Sequence, residues 1–234
     1  MVYNWIDIIQ KQLYPAVCSL CGNRGLDDLN LCRSCHQQLP RNLHPCNRCA
    51  LPLPTGSNSY LCCGCTKRAP LFQRIYAPYL YQPPVDHLIQ SFKFRQQLCN
   101  GRLLGKLLAN HLLDQGYTPP QVVVPVPLHK EQLRERSFNQ SAELARQLAR
   151  ELKLDWSTRL LHKVRPTRPQ HGLKQKHRKM NLRHCFRFDN QRDLTHVAIV
   201  DDEVTTGSTA SEIARTLLRQ GVEHVQIWAL ARTP

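Results

Sequence analysis

Ile199-Val200-Asp201-Asp202-Glu203-Val204-Thr205-Thr206-Gly207-Ser208-Thr209 is the stretch on which the reading of this 234-residue chain turns. An apolar strand, Val197 to Val200, runs into a polar turn, Asp201 to Ser208. A helix, Thr209 to Gln220, follows and stops at Gly221, and a second strand, Val225 to Leu230, closes a βαβ unit. Such a unit places the turn at the carboxyl end of a parallel strand, where open α/β sheets bind ligands. Backbone N–H groups and hydroxyls of Thr205, Thr206, Gly207, Ser208 and Thr209 can converge on a phosphate, aided by the partial positive charge of a helix N-terminus. Gly207 permits a close approach. Asp201 and Asp202 would repel that phosphate, so they must serve a partner that donates hydrogen bonds or carries positive charge, such as sugar hydroxyls or a divalent cation. A ribose 5-phosphate meets both demands.

Working outward, Val122-Val123-Val124 is a fully apolar β-branched run stopped by Pro125 and Pro127, as expected of a buried parallel strand. Helical spacing marks Val85 to Phe94, Gly101 to Gln115 and Phe138 to Leu152, and Tyr79 to Tyr81 reads as a short strand. Alternation of this kind predicts an α/β fold with a parallel sheet flanked by helices.

The first seventy residues have another texture, rich in Cys, Pro and turn-formers, with apolar periodicity for one short helix at most. Nine of the eleven cysteines fall between Cys18 and Cys65. Eight of them form four pairs with two residues between the members: Cys18 and Cys21, Cys32 and Cys35, Cys46 and Cys49, Cys62 and Cys65. Each pair can occupy two corners of a zinc tetrahedron, so eight thiolates imply two closed, structural Zn²⁺ sites. Sequential pairing is the simplest arrangement. A cross-braced one, first pair with third, stays open at this point, as does Cys63 in place of Cys62. The chain is thus divided into a cysteine-rich double zinc-binding module, 1–70, and an α/β domain, 71–234, with the change of texture near residues 68–75.

Charge is the other bulk signal. Lys and Arg total 32 against 17 Asp and Glu, a net charge of +15. From His129 to Arg192 there are 17 basic and 6 acidic residues, an excess of +11, and His162 to Arg187 holds nine Lys/Arg and no carboxylate. Such a segment calls for a polyanion. No apolar run approaches the ~20 residues of a membrane span, and Met1 to Ala16 lacks the layout of a cleavable signal. A cytoplasmic location is therefore the expectation, and it favours metal ligation over disulfides.

The acidic-pair turn, Asp-Asp, two spacers, then Thr-Thr-Gly-x-Thr, resembles the phosphoribosyl pyrophosphate motif of type I phosphoribosyltransferases. Glu203 departs from the apolar residue usual there and is expected to face solvent. Val124-Pro125-Val126-Pro127-Leu128, followed by Arg134-Glu135-Arg136-Ser137-Phe138-Asn139-Gln140, resembles the ComF family of competence-associated proteins, GntX-like members included. The resemblance spans essentially the whole chain, supported by Phe92-Lys93-Phe94-Arg95, by Thr167 to Gln170 with Arg178 and Asn181, and by the cysteine pairs. Ser137 stands where glycine is usual, and serine would be strained there if the position needs a positive φ.

The resemblance implies a type I phosphoribosyltransferase-like domain binding phosphoribosyl pyrophosphate with Mg²⁺. Asp201 and Asp202 become the candidate catalytic pair, and residues 205–209 with Lys93, Arg134 and Arg136 the phosphate and pyrophosphate ligands. A basic hood would run from Arg165 to Arg178. Arg165, Arg168, Lys174, Lys176, Arg178 and Lys179 are the candidate contacts to single-stranded DNA. Implied partners are that DNA and a competence helicase or uptake protein.

Three functions follow: a ligand- and DNA-binding protein of DNA uptake and utilisation, an active phosphoribosyltransferase acting on a base or nucleotide-type acceptor in nucleoside metabolism, and a structural adaptor. His87, His111 and His171 can act as acid or base, yet none is assigned. Tyr60, Phe72, Tyr76, Tyr79 and Tyr81 can stack on bases, with core packing the favoured reading.

Overall fold

The computed structural model describes residues 16–26, 29–95, 97–166 and 182–234. Strand β6 (His196–Val204) is the centre of the sheet and β7 (His224–Arg232) lies beside it, parallel. On the far side of β6 runs β3 (Val122–Pro125), also parallel, from Val122 opposite Val197 to Pro125 opposite Val200. Beyond β7 the edge is made by β1 (Arg74–Tyr76) and β2 (Tyr79–Leu80), both parallel to it. These two keep one register, Tyr76 opposite Trp228 and Tyr79 opposite Ala231, so they act as a single edge strand interrupted at Ala77-Pro78. Trp156 bridges to Val123 on the opposite edge. The expected parallel α/β architecture is the one found.

Both faces are covered, which is why β3, β6 and β7 read as nearly continuous apolar runs. Helices α3 (Val85–Arg95), α4 (Leu98–Asp114) and α6 (Gln140–Leu152) cover one face, packing Leu88, Phe92, Leu104, Leu108, Leu144 and Leu148 with Val200 and Trp228. Helix α7 (Ser208–Leu218) and an antiparallel ribbon, β4 (Leu161–Lys163) with β5 (Phe186–Phe188), cover the other, with Ile213, Leu217 and Phe188 against Ile199 and Ile227. Helix α5 (Lys130–Arg136) stands apart, after β3.

Two differences from the sequence reading are instructive. Strand β6 does not end at Val200 but continues through the acidic residues to Val204, because β7 goes on supplying ladder partners: Ala229 for Asp201, Ala231 for Glu203, Arg232 for Val204. Hydrophobicity alone stops at the first carboxylate and misplaces the strand's end. Among its described residues the cysteine-rich segment contains two short helices, α1 (Arg33–Gln37) and α2 (Cys63–Lys67), where one at most was expected. Each starts just after the first cysteine of a pair; in α1, Cys32 Sγ accepts from the Cys35 N–H at 3.5 Å, so there local sulfur capping takes the place of apolar periodicity, while α2 has no side-chain cap among the described residues.

Ser137 closes helix α5 in the left-handed region, φ 64° and ψ −12°, and its N–H donates to the Leu133 carbonyl. A side chain at such a cap costs about 1 kcal/mol relative to glycine. Ser137→Gly is therefore expected to raise stability by roughly 0.5–1 kcal/mol, read as an increased midpoint in urea unfolding with an unchanged slope.

Candidate functional site

Four strands deliver their carboxyl ends to one edge of the sheet, and there the acidic residues of β6 meet two helices. Asp202 is 2% exposed. Lys93, in the last turn of α3, forms an ion pair with Asp202 Oδ2, and its Nζ lies 3.7 Å from Glu203 Oε1. Glu203 thus faces a buried lysine rather than solvent. Burial alone would lower the Lys93 pKa, but Asp202, Glu203 and Asp201 outweigh it and raise it above the ordinary lysine value.

The second helix is α6, whose N-cap Asn139 accepts from the N–H groups of Ser141 and Ala142 and donates to the Val126 carbonyl at 3.0 Å. This fixes its first turn against the end of β3. Ser141 Oγ then donates to Asp201 Oδ1 at 3.1 Å, and Gln140 Nε2 to Asp202 Oδ1 at 3.4 Å. The helix N-terminus adds its partial positive charge. Asp201 keeps some exposed surface, yet burial of its carboxyl pushes its pKa well above the usual carboxylate range; the neighbouring Asp202 adds to this, while Lys93 and Ser141 act against it. Gln140 Oε1 is buried without a hydrogen-bond partner among the described residues.

After Val204 the chain bends into α7. Gly207 is the N-cap, in the left-handed region with φ 70°, and no side chain caps the helix there. A Cβ at Gly207 would meet nothing within 4 Å. The glycine is thus required by backbone conformation rather than by crowding from the described residues. The Thr206 and Ser208 hydroxyls lie 2.8 Å apart, and Ser211 Oγ holds the Gly207 carbonyl at 2.8 Å. The first-turn N–H groups of a helix have no intrahelical acceptor, so the bend presents donors next to the acidic pair.

The remaining candidates divide. Arg136 is half-buried with its guanidinium 5.4 Å from the Phe94 ring centroid, while Arg134 and Arg165 are exposed. Arg168, Lys174, Lys176, Arg178 and Lys179, most of the expected hood, lie outside the described residues. Phe72, Tyr76 and Tyr79 are buried in the core, whereas Tyr60 is 76% exposed. Sequence reasoning gave no role to Gln140, Ser141 or Lys163. Lys163 Nζ bonds Gln132 Oε1 at 3.0 Å and lies within electrostatic reach of Asp201 and Arg136. The polar pair opening α6 was a usable signal for the first two; nothing local marks Lys163.

The cysteines gather as two groups, Cys18 with Cys21, Cys32 and Cys35, and Cys46 with Cys49, Cys62 and Cys65, the sulfurs of each lying within 4.8 Å of one another. The pairing is sequential, and Cys62 rather than the exposed Cys63 takes part. Sulfur separations of 3.7 Å for Cys21 and Cys32 and 3.6 Å for Cys49 and Cys62 are far too long for disulfides. They match the edge of about 3.8 Å of a tetrahedron built on Zn–S bonds of about 2.3 Å. Hydrogen bonding with Cys32 and Cys21 pushes the Cys35 thiol up to about 12, and burial pushes Cys49 up to about 11. Four thiolates this close need a cation. The two clusters fit two structural zinc sites.

Asp201 and Asp202 respond differently to neutralisation. A folded-state pKa raised above the unfolded value means that this contribution to stability is full below about pH 4 and is lost as pH rises. Asp201→Asn, which keeps the acceptor for Ser141, is therefore expected to be more stable than the wild type at pH 7, with the gain growing as pH rises from about 4. Asp202→Asn strips Lys93 of its nearest counter-charge and is expected to lose on the order of 3 kcal/mol. Thermal unfolding of both variants across that pH range checks the opposite signs.

Comparison with known proteins agrees with this architecture. The Double zinc ribbon domain family matches residues 9–67. The chain is 36% identical to the DNA utilization protein YhgH of Salmonella typhi over 224 residues, covering 94% of this chain and 98% of that protein. The protein of the same name from Escherichia coli K12 is also 36% identical, with the same coverage. Competence protein F of Haemophilus influenzae is 34% identical over 90% of this chain and 94% of its own length. Relatedness of this degree along almost the whole chain shows that it belongs to the ComF family, with the YhgH-type DNA utilization proteins and competence protein F.

Proposed function

We propose that the chain works in the uptake or utilisation of DNA, binding phosphoribosyl pyrophosphate at the bend between β6 and α7 and single-stranded DNA through its basic surface. The observation that carries the first part is the pairing of a helix N-terminus without a side-chain cap among the described residues, Gly207 to Thr209, with the half-buried Asp201 and buried Asp202 at the carboxyl end of β6. A 5-phosphate suits the amides and hydroxyls of residues 205–209, and the ribose hydroxyls suit Asp201 and Asp202. The unpartnered Gln140 Oε1 offers an acceptor for a sugar hydroxyl or a metal-bound water. Lys93, held against Asp202, keeps the carboxylates from repelling the phosphate, and Arg136 and Arg134 would serve the pyrophosphate. Mg²⁺, when bound with the pyrophosphate, would neutralise its charge.

DNA enters this proposal by two routes. Relatives of this chain are named DNA utilization protein and competence protein, and the charge of +15 exceeds what one pyrophosphate needs. The exposed Tyr60 beside the second cysteine cluster is a suitable stacking surface for an unpaired base.

Isothermal titration with phosphoribosyl pyrophosphate should give heat for the wild type in the presence of Mg²⁺ and none for the Asp201→Asn/Asp202→Asn variant, provided circular dichroism shows that variant folded. An affinity equal in both would refute the ligand assignment. Binding of a single-stranded oligonucleotide should weaken at least tenfold between 50 and 200 mM salt, the order expected for several phosphate contacts. An affinity indifferent to salt would remove DNA from the account.

A further inference from the structure

Arg232 ends strand β7 and is 6% exposed, a charged side chain in an interior where lone charges are rarely tolerated. Its guanidinium serves two parts of the molecule at once. Nε donates to the Cys49 carbonyl at 3.1 Å, inside the second cysteine cluster. Nη1 donates to the Val204 carbonyl at 3.1 Å, to the Thr205 carbonyl, and to its neighbour Thr233 at 2.5 Å. Val204 is the last residue of β6 and Thr205 the first of the bend, so one side chain joins a metal knuckle to the start of the phosphate-binding turn.

Carbonyls at the end of a strand that turns into a helix leave the ladder and need other donors. The Thr233 N–H takes one lone pair of Val204 at 3.0 Å, and Arg232 supplies the rest. A guanidinium can do this because its donors sit in a rigid planar fork. Its positive charge is matched on the other side: Cys49, Cys46 and Cys62 are all within its electrostatic reach. A Zn²⁺ ion held by four thiolates carries a net charge of −2, so a loaded second cluster is the counter-ion of Arg232. The segment carrying the second cluster is also tied to the β1–β2 edge of the sheet by the Ile75 N–H to the Arg48 carbonyl at 2.8 Å and by Asn42 Nδ2 to the Ala50 and Ala77 carbonyls at 2.8 and 3.3 Å. The first cluster lies elsewhere: Cys18, Cys32 and Cys35 pack with Leu31 and Leu39 into the core on the opposite face of the sheet.

We propose that Arg232 is a positioning residue coupling the Cys46/Cys49/Cys62/Cys65 metal site to the turn at Val204–Thr205, so that the order of that turn depends on metal at the second cluster and not at the first. Coupling between sites is reciprocal, so a ligand on the turn tightens metal binding at the second cluster. Only this ligand arm rests on the function proposed above; the coupling itself is read without any ligand.

The test is hydrogen exchange of peptides covering residues 201–215 in the full-length, zinc-loaded chain. Arg232→Lys keeps the charge but reaches one carbonyl in place of several; it should retain two zinc ions per chain and exchange the turn at least about fivefold faster, the lower end of ordinary coupling strengths. Arg232→Ala should do the same or more. Removing the second metal with Cys62→Ser/Cys65→Ser should speed the turn alike, whereas Cys21→Ser/Cys35→Ser should leave it unchanged. Unaltered turn exchange in a folded Arg232→Lys, or equal acceleration by both cysteine double variants, would overturn the coupling. In a parallel measurement, Mg²⁺ and phosphoribosyl pyrophosphate should raise the chelator concentration that removes zinc at equilibrium in the wild type and not in Arg232→Lys. If titration shows that the wild type does not bind this compound, the ligand assignment falls, and the exchange results still decide the coupling.

Discussion

Two adjacent carboxylates at the end of a buried parallel strand form a costly arrangement, and much of the molecule is built around making it tolerable. Lys93 from α3 pairs with Asp202, and Gln140 and Ser141 from the first turn of α6 donate to both acids. Those helices come together because Phe92, Leu104, Leu108, Leu144 and Leu148 share one core on the face of the sheet that also holds Val200 and Trp228. Packing of the apolar face thus places the polar groups within reach of the acids. The incomplete satisfaction left over, a Gln140 acceptor without a partner among the described residues and an Asp201 pushed toward protonation, is the kind of frustration that marks binding sites.

Much of the fold was legible because its signals were strong and local. Val122 to Val124, the run ending at Val200, and the helix stopped by Gly221 follow hydrophobic periods that a doubly covered sheet demands. Eight cysteines in four equal spacings led to two metal sites, and the geometry resolved their order and chose Cys62 over Cys63. The end of β6 was misjudged because a carboxylate reads as a turn former, while in the fold the ladder to Ala229, Ala231 and Arg232 carries the strand onward. Glu203 was misjudged for the same reason: its neutralising lysine lies 110 positions earlier in the chain, and no window of sequence links them.

The site was legible in its motif and illegible in its supports. Residues 205–209 announce themselves by composition, whereas Lys163 and Arg232 earn their places only through tertiary contacts. Arg232 is the sharper case, an ordinary arginine near the end of the sequence that turns out to be buried between a zinc knuckle and the bend. The cysteine-rich segment is accordingly more than an appended module: its first cluster packs on one face of the sheet and Ala50 and Cys49 of the second on the other, so that it clasps the edge strand β1–β2.

The proposed ligand site is the bend at residues 205–209 beside Asp201 and Asp202. Titration of ¹⁵N-labelled protein with ribose 5-phosphate, followed by the amide resonances of residues 205–209, examines that bend directly. The account predicts saturable shifts largest at Gly207, Ser208 and Thr209. Shifts confined to the basic residues of α5 and β4, with the bend unmoved, would contradict it.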